Sequence, residues 1–170
     1  MKSGDGITSD QIKESGDYPV YGGNGLRGYF DSYTHEGNYV LIGRQGALCG
    51  NINYVSGKFW ASEHAIVCTL NGQYEVRWFG ELLTTMNLNQ YSVSAAQPGL
   101  SLENIIRLKV PVPSLLEQIA IVAHIETECS RLDTIIEKFK KQIDLFKEYR
   151  TTLISDVVTG KIDVRGEVAA

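Results

Sequence analysis

The chain has 170 residues, enough for one ordinary domain and an appendage, and its 43% apolar and 21% charged content is that of a chain with a packed core. No run approaches the ~20 consecutive apolar residues of a membrane-spanning helix, and the polar opening MKSGDGITSDQIKESGD does not read as a signal peptide, so a cytoplasmic protein with no membrane partner is expected. The net charge is −4, and residues 1–113 carry 8 basic against 10 acidic side chains, a balance that argues against tight, autonomous binding to a phosphate backbone.

In chain order, the first two thirds read as short strands joined by tight turns. Runs rich in Val, Ile and Tyr and bounded by Gly, Asn or Pro predict strands at 18–21, 39–43, 50–55, 65–70 and 106–112. Between the fourth and fifth, residues 75–88 place Val76, Phe79, Leu82, Leu83 and Met86 at helical spacing, so one helix face is expected to bury against the strands. The segment GGNGLRG at 22–28 is read as a turn that needs backbone angles cheap only for Gly or Asn.

The chain changes character at VPVPS, residues 110–114. Of its 17 glycines only Gly160 and Gly166 lie beyond that point. Pro111 and Pro113 hold the chain extended. Ser114 and Glu117 have the spacing of a capping box, and Gly160 after Thr159 marks the stop. Between them Val122, Ile125, Cys129, Leu132, Ile136, Phe139, Ile143, Phe146, Arg150, Leu153 and Val157 recur in alternating steps of three and four. That sustained 3.5-residue period is the coiled-coil signature. A helix of this length spans roughly 65 Å, more than a domain of this size covers, so a partner helix from a second copy or another subunit is favoured over a fold back onto the chain's own domain. Arg150, the one polar residue in the row, either fixes register or reaches out to a carboxylate. The organisation expected is therefore residues 1–113 as a globular domain, 114–160 as the helix and 161–170 as a tail.

No catalytic set is found. The sequence lacks a P-loop, a nucleophile elbow, a metalloprotease helix motif and a dinucleotide fingerprint, and the Asn-Pro-Pro-aromatic motif of DNA amino-methyltransferases is absent as well. Cys49, Cys68 and Cys129 are odd in number and widely spaced, so reduced thiols rather than a disulfide framework or zinc site are expected. His35, His64 and His124 are not spaced for metal ligation. Glu63 and His64 adjoin, but neighbours in a strand point to opposite faces. The side chains best suited to nucleic acid are Asn24 and Arg27 in GGNGLRG, Arg44 and Gln45 in IGRQGALCG, and Lys58 after Gly57. Arg and Lys bond guanine edges, and Asn and Gln bond adenine, in the major groove.

Three segments carry a family resemblance. YPVYGGNGLRGYFDSYTHEGNYVLIGRQGALCGNINYVSGKFWASEHAIVC, from Tyr18 to Cys68, resembles the target recognition domain of type I restriction–modification DNA specificity subunits. LSLENIIRLKVPVPSLLEQIAIVAHIE, with Pro111, Pro113, Glu117 and Gln118, resembles the family's junction, and LFKEYRTTLISDVVTGKIDVR resembles the end of its conserved helix. The resemblance implies an α+β protein: a mixed α/β globule of short twisted strands that reads double-stranded DNA through loops, then one long helix paired antiparallel in a coiled coil and acting as a spacer. It implies no catalysis and no cofactor in this chain; S-adenosylmethionine belongs to partner methyltransferase (modification) subunits, and a translocase–nuclease (restriction) subunit joins them. Family subunits carry two recognition domains and two helices, so a chain with one of each is expected to rebuild the layout as a homodimer on a bipartite, palindromic target. Its dimer interface would be Val122, Ile125, Cys129, Leu132, Ile136, Phe139, Ile143, Phe146, Leu153 and Val157. Two rivals stand beside this reading: a coiled-coil adaptor or decoy module without a DNA role, and a small hydrolase using Glu63 and His64.

Overall fold

Successive side chains of a strand point to opposite faces, so the continuous apolar runs at the end of the fourth strand and along the sixth, residues 40–42 and Ala65–Cys68, bury both faces of the sheet. The computed structural model describes residues 1–46, 48–92 and 99–166. Its strands are β1 (Lys2–Ser3), β2 (Tyr18–Gly22), β3 (Gly25–Phe30), β4 (His35–Gly43), β5 (Ile52–Ala61) and β6 (Ala65–Cys68). Its helices are α1 (Val76–Thr85), α2 (Leu102–Ile106) and α3 (Leu115–Val158). The strands form one sheet in the order β1-β6-β4-β5-β2-β3, antiparallel throughout except for the parallel pair β2–β5. The mixed sheet with a long C-terminal helix is the α+β architecture expected from the sequence.

The register forces the sheet to curl. Ile42 pairs with Ile52, and Gly43 with Ala65. A straight strand as long as β5 would carry the chain about 30 Å away from Ile52. Yet only Ser62, Glu63 and His64 separate its end from Ala65, and that link reaches about 14 Å at most. Even with the roughly 10 Å between β5 and β6 across β4, β5 cannot run straight and must bend. Leu41, Val55, Phe59, Ala61, Ala65 and Val67 fill one face of the curl; Val40, Ile42, Ile66 and Cys68, of opposite parity, are covered by Leu83 of α1, Leu88, Leu100 and Ile105 of α2. Burial pushes the Cys68 thiol up to about 12, which keeps it protonated and inert. Gly80 lets α1 lie flat on β5, since any Cβ there would collide with the Tyr54 ring.

Three local expectations are corrected. GGNGLRG is a turn only at its first half: Gly25–Phe30 is a strand, disguised by two glycines. Gly28 is required there by close approach, because a Cβ would meet Ile12 and the Lys13 carbonyl, and Lys13 exchanges both backbone hydrogen bonds with Tyr29. β5 runs on to Ala61 through Gly57, so Lys58 sits in a strand. Residues 106–112, read as a strand, hold only the end of α2 and an unpaired extended segment; Pro111 and Pro113 lack the N–H donors that a sheet partner would require.

Both ends of α3 follow the sequence. The Ser114 N–H donates to Glu117 Oε2 at 3.3 Å, and the Glu117 N–H donates to Ser114 Oγ at 3.4 Å, the reciprocal capping box. At the stop, Gly160 at φ +75 donates to the Val157 carbonyl and Lys161 donates to the Asp156 carbonyl, the two bonds of a Schellman motif.

The compact units divide at Val122/Ala123, inside the helix rather than at residue 113. Gln118, which is 1% exposed, ties the first turn of the helix to the first unit. Its Oε1 accepts from the Glu75 N–H at 2.9 Å and its Nε2 donates to the Pro113 carbonyl at 2.9 Å. Gln118→Leu strands both backbone groups, and an unsatisfied buried group costs about 1–3 kcal/mol. The variant is expected to lose about 2–4 kcal/mol, read as a lowered urea midpoint at constant slope; an unchanged midpoint would show that the amide is not a tie.

The second unit, 123–170, is described to residue 166 and consists of the remaining helix and the start of the tail; 167–170 lie outside the described residues. Val122 is buried in the first unit, so the open part of the row begins at Ile125. Beyond it Leu132, Ile136, Phe139, Ile143 and Phe146 are 48–72% exposed. Arg150 makes no ion pair among the described residues, whereas Arg131, Lys140 and Lys147 each bridge a carboxylate three residues back on the same helix. Among the described residues no helix is long and apolar enough to cross a membrane.

Candidate nucleic-acid interface

The curl of the sheet brings three turns together that lie far apart in sequence. They are the β2–β3 turn with Gly23 and Asn24, the turn after β4 with Arg44 and Gln45, and the Ser62–His64 link. The Arg44 N–H donates to the His64 carbonyl at 2.8 Å, and the Arg44 carbonyl accepts from Leu100 at 2.8 Å. Gly23 is wedged between the other two turns: a Cβ there would sit 3.1 Å from both the Gln45 and His64 carbonyl oxygens. Gly43 packs against Gly23 itself, since any Cβ there would collide with the Gly23 carbonyl. Two glycines thus allow three backbones to meet at one rim.

Four of the five sequence-predicted reading residues lie on that rim. Asn24 and Gln45 are exposed. Arg27 is exposed too, and its aliphatic stem lies across Gly22. It is in β3 rather than a loop, but the ladder skips it: Val20 pairs with Gly28 and Tyr21 with Leu26, which leaves Arg27 as the extra residue of a β-bulge. A bulge re-aims a side chain that a regular ladder would constrain. Arg44 is half-buried, with Nη1 donating to Ser3 Oγ at 2.9 Å, so N-terminal residues brace it. Ala47, within the same motif, lies outside the described residues.

Lys58 is not joined to the others. It faces Glu36 across the β4–β5 ladder at 4.0 Å, and its ammonium sits 4.7 Å from the Tyr33 ring centroid. The Glu36 carboxylate, then Tyr33, raise its pKa.

Glu63 and His64 are in a turn, not a strand, so the expectation that they point apart is overturned. His64 Nε2 lies 3.1 Å from Glu63 Oε1, and His64 Nδ1 lies 2.9 Å from Gln45 Oε1. Glu63 Oε2 accepts the Ile7 N–H at 3.3 Å. The contact between His64 and Gln45, 19 residues apart, has no periodic or local signal from which a sequence reading could find it. His35 plays a different part. It is buried, stacked on Phe59, and bonded through Nδ1 to the Thr34 hydroxyl at 2.7 Å; burial lowers its pKa and favours the neutral ring. No group of three or more His, Cys, Asp or Glu suited to a metal occurs among the described residues.

Comparison with known proteins gives this arrangement a context. A family model described as "Type I restriction modification DNA specificity domain" matches residues 1–145. The chain is 43% identical over 141 residues to the EcoprrI type I restriction enzyme specificity subunit of Escherichia coli, a match covering 81% of this chain and 35% of that protein. It is 32% identical over 114 residues to a putative type I restriction enzyme specificity subunit of Haemophilus influenzae, covering 65% of this chain and 30% of the relative. The chain thus spans about a third of the length of these relatives. A crystal structure of a type I restriction–modification S subunit from M. genitalium superposes with a TM-score of 0.67 at 18% identity, over 91% of this chain and 42% of that one, a likeness of fold.

Proposed function

The chain belongs to the type I restriction modification DNA specificity family, and from that premise we propose that it is the sequence-reading part of a type I restriction–modification complex. It contributes recognition and no chemistry. Double-stranded DNA is its ligand, methyltransferase subunits that bind S-adenosylmethionine are its partners, and a translocase–nuclease subunit completes the assembly. The observation that carries the reading is that the turns holding Asn24, Arg44 and Gln45 meet at one rim of a domain of this family, with the stem of Arg27 across the adjoining Gly22; all four are side-chain types that bond base edges. The acidic balance of the chain fits the same picture, because partner subunits then supply much of the phosphate contact.

A second copy is proposed as the cover for the exposed row on α3, with the helices antiparallel. Two reading domains then address a bipartite, palindromic target whose spacer reflects the length of the helix.

The reading is tested at Arg27. If its guanidinium bonds a guanine edge, Arg27→Ala costs about 1–3 kcal/mol on the cognate site and relaxes preference at one base pair. If it bonds phosphate, binding weakens evenly across sequences and the salt slope falls by about 1. Equilibrium binding of the assembled complex to cognate and scrambled duplexes at several salt concentrations separates these. No change in either quantity would remove Arg27, and the rim with it, from the interface.

A further inference from the structure

We infer that His64, braced by Glu63, is a positioning residue that holds the Gln45 amide and so fixes how Gln45 presents its two ends to a base. The inference rests on the reading function proposed above. Its basis is the chain of contacts Ile7 N–H to Glu63, Glu63 to His64 Nε2 at 3.1 Å, and His64 Nδ1 to Gln45 at 2.9 Å.

The donor–acceptor inventory makes the tie independent of protonation. Glu63 only accepts, so His64 Nε2 carries a proton where it faces the carboxylate. In the neutral ring Nδ1 is then an acceptor and takes the amide N–H of Gln45, leaving the Gln45 carbonyl to face DNA. In the charged ring Nδ1 donates to the Gln45 carbonyl, leaving the amide N–H groups outward. A flip of the amide exchanges the two with the heavy atoms in place. Either way His64 takes one of the amide's four hydrogen-bonding sites. Gln45 keeps both a lone pair and an N–H with which to bond adenine at N6 and N7, and held in this way it meets the base in an orientation that His64 sets.

The backbone favours a built arrangement over a chance contact. The Arg44 N–H to His64 carbonyl bond fixes the two turns against each other, and the Gly23 wedge leaves them no room to slide. The Gln45 backbone itself pairs with Gly99, so the side chain starts from a fixed root.

The expected result is directional. His64→Ala frees the Gln45 amide to turn, and preference at the base pair read by Gln45 falls by about tenfold, the size of one good bidentate contact. Glu63→Gln, which offers His64 Nε2 either a donor or an acceptor, shifts the same position the same way but less. Sites are selected from randomised duplex DNA by the full chain in its restriction–modification complex, for both variants, for Gln45→Ala, and for His64→Ala combined with Gln45→Ala. A loss of preference at that one position, no deeper in the double variant than in Gln45→Ala alone, supports the inference, whereas general loosening of the turn weakens other positions as well. If Gln45→Ala changes one position while His64→Ala and Glu63→Gln change none, the tie is overturned and the reading function stands. If Gln45→Ala changes no position, the inference falls at its root and the Arg27 experiment still decides the reading function. Should His64→Ala fail to fold, Glu63→Gln with and without Gln45→Ala decides it by the same comparison.

Discussion

Replacing Phe139 and Ile143 together with glutamate is expected to turn a two-chain particle into a single chain. Both side chains lie in the row on α3 and are more than half exposed in the isolated chain. A helix whose apolar stripe has no cover gains by pairing, since each such side chain contributes about 1 kcal/mol on losing its remaining exposure. One contact cannot meet the ~4–15 kcal/mol lost in joining two bodies, but a continuous row from Ile125 to Val157 in each chain can. Glutamate at two central positions puts four carboxylates into the seam of a pair, next to apolar side chains and to one another. The desolvation of even one unpaired charge exceeds the gain from several methylenes. The association constant should fall by at least about a thousandfold, the equivalent of about 4 kcal/mol. Sedimentation equilibrium at micromolar concentration reads this directly, and circular dichroism confirms that the first unit stays folded. If the unsubstituted chain already sediments as one copy, the row is covered by another kind of partner, and the homodimer is excluded.

The elements whose signal is local were legible in the sequence. α3 announced itself because its caps and its 3.5-residue period are each contained within a few residues: Ser114 and Glu117 at the start, Gly160 at the stop, and the apolar row between. β2, β4 and β6 were legible because each is a short run rich in Val, Ile or Tyr, the local composition of a strand. β3 was not, because Gly25 and Gly28 serve a turn and a close approach to Lys13, and these same glycines erase the strand pattern. Residues 106–112 misled for the converse reason: their Ile, Leu and Val content suits a strand, but Pro111 and Pro113 leave no ladder to join. The site divides in the same way. Asn24, Arg27, Arg44 and Gln45 were identified by type, each ordinary alone, whereas their convergence depends on the curl of β5, which only the register of three strands reveals. The contacts of Gln118 and His64 were not legible because their partners, Glu75 and Gln45, are 43 and 19 residues away.

Lengthening α3 by one heptad is expected to lengthen the preferred spacer between half-sites by about three base pairs. A second copy of residues 140–146 placed after Phe146 preserves the alternating steps of three and four, so the seam stays continuous. Seven residues add about 10.5 Å of helix, and DNA rises 3.4 Å per base pair. The rotation is less forgiving than the length. Three base pairs turn the duplex by about 100°, taking 10.5 base pairs per turn, while a heptad leaves the seam facing its partner. The two reading domains then meet their grooves out of phase, and the best site for the one-heptad variant should bind more weakly than the original. Three added heptads lengthen the helix by about 31.5 Å, close to nine base pairs, which nearly completes a DNA turn and brings the grooves back into phase. Binding strength should therefore fall for one and two heptads and recover for three, with the spacer growing at each step. Selection of target sites by the complexes carrying these insertions measures both quantities. A spacer that does not change with helix length would show that the distance between half-sites is set elsewhere in the assembly.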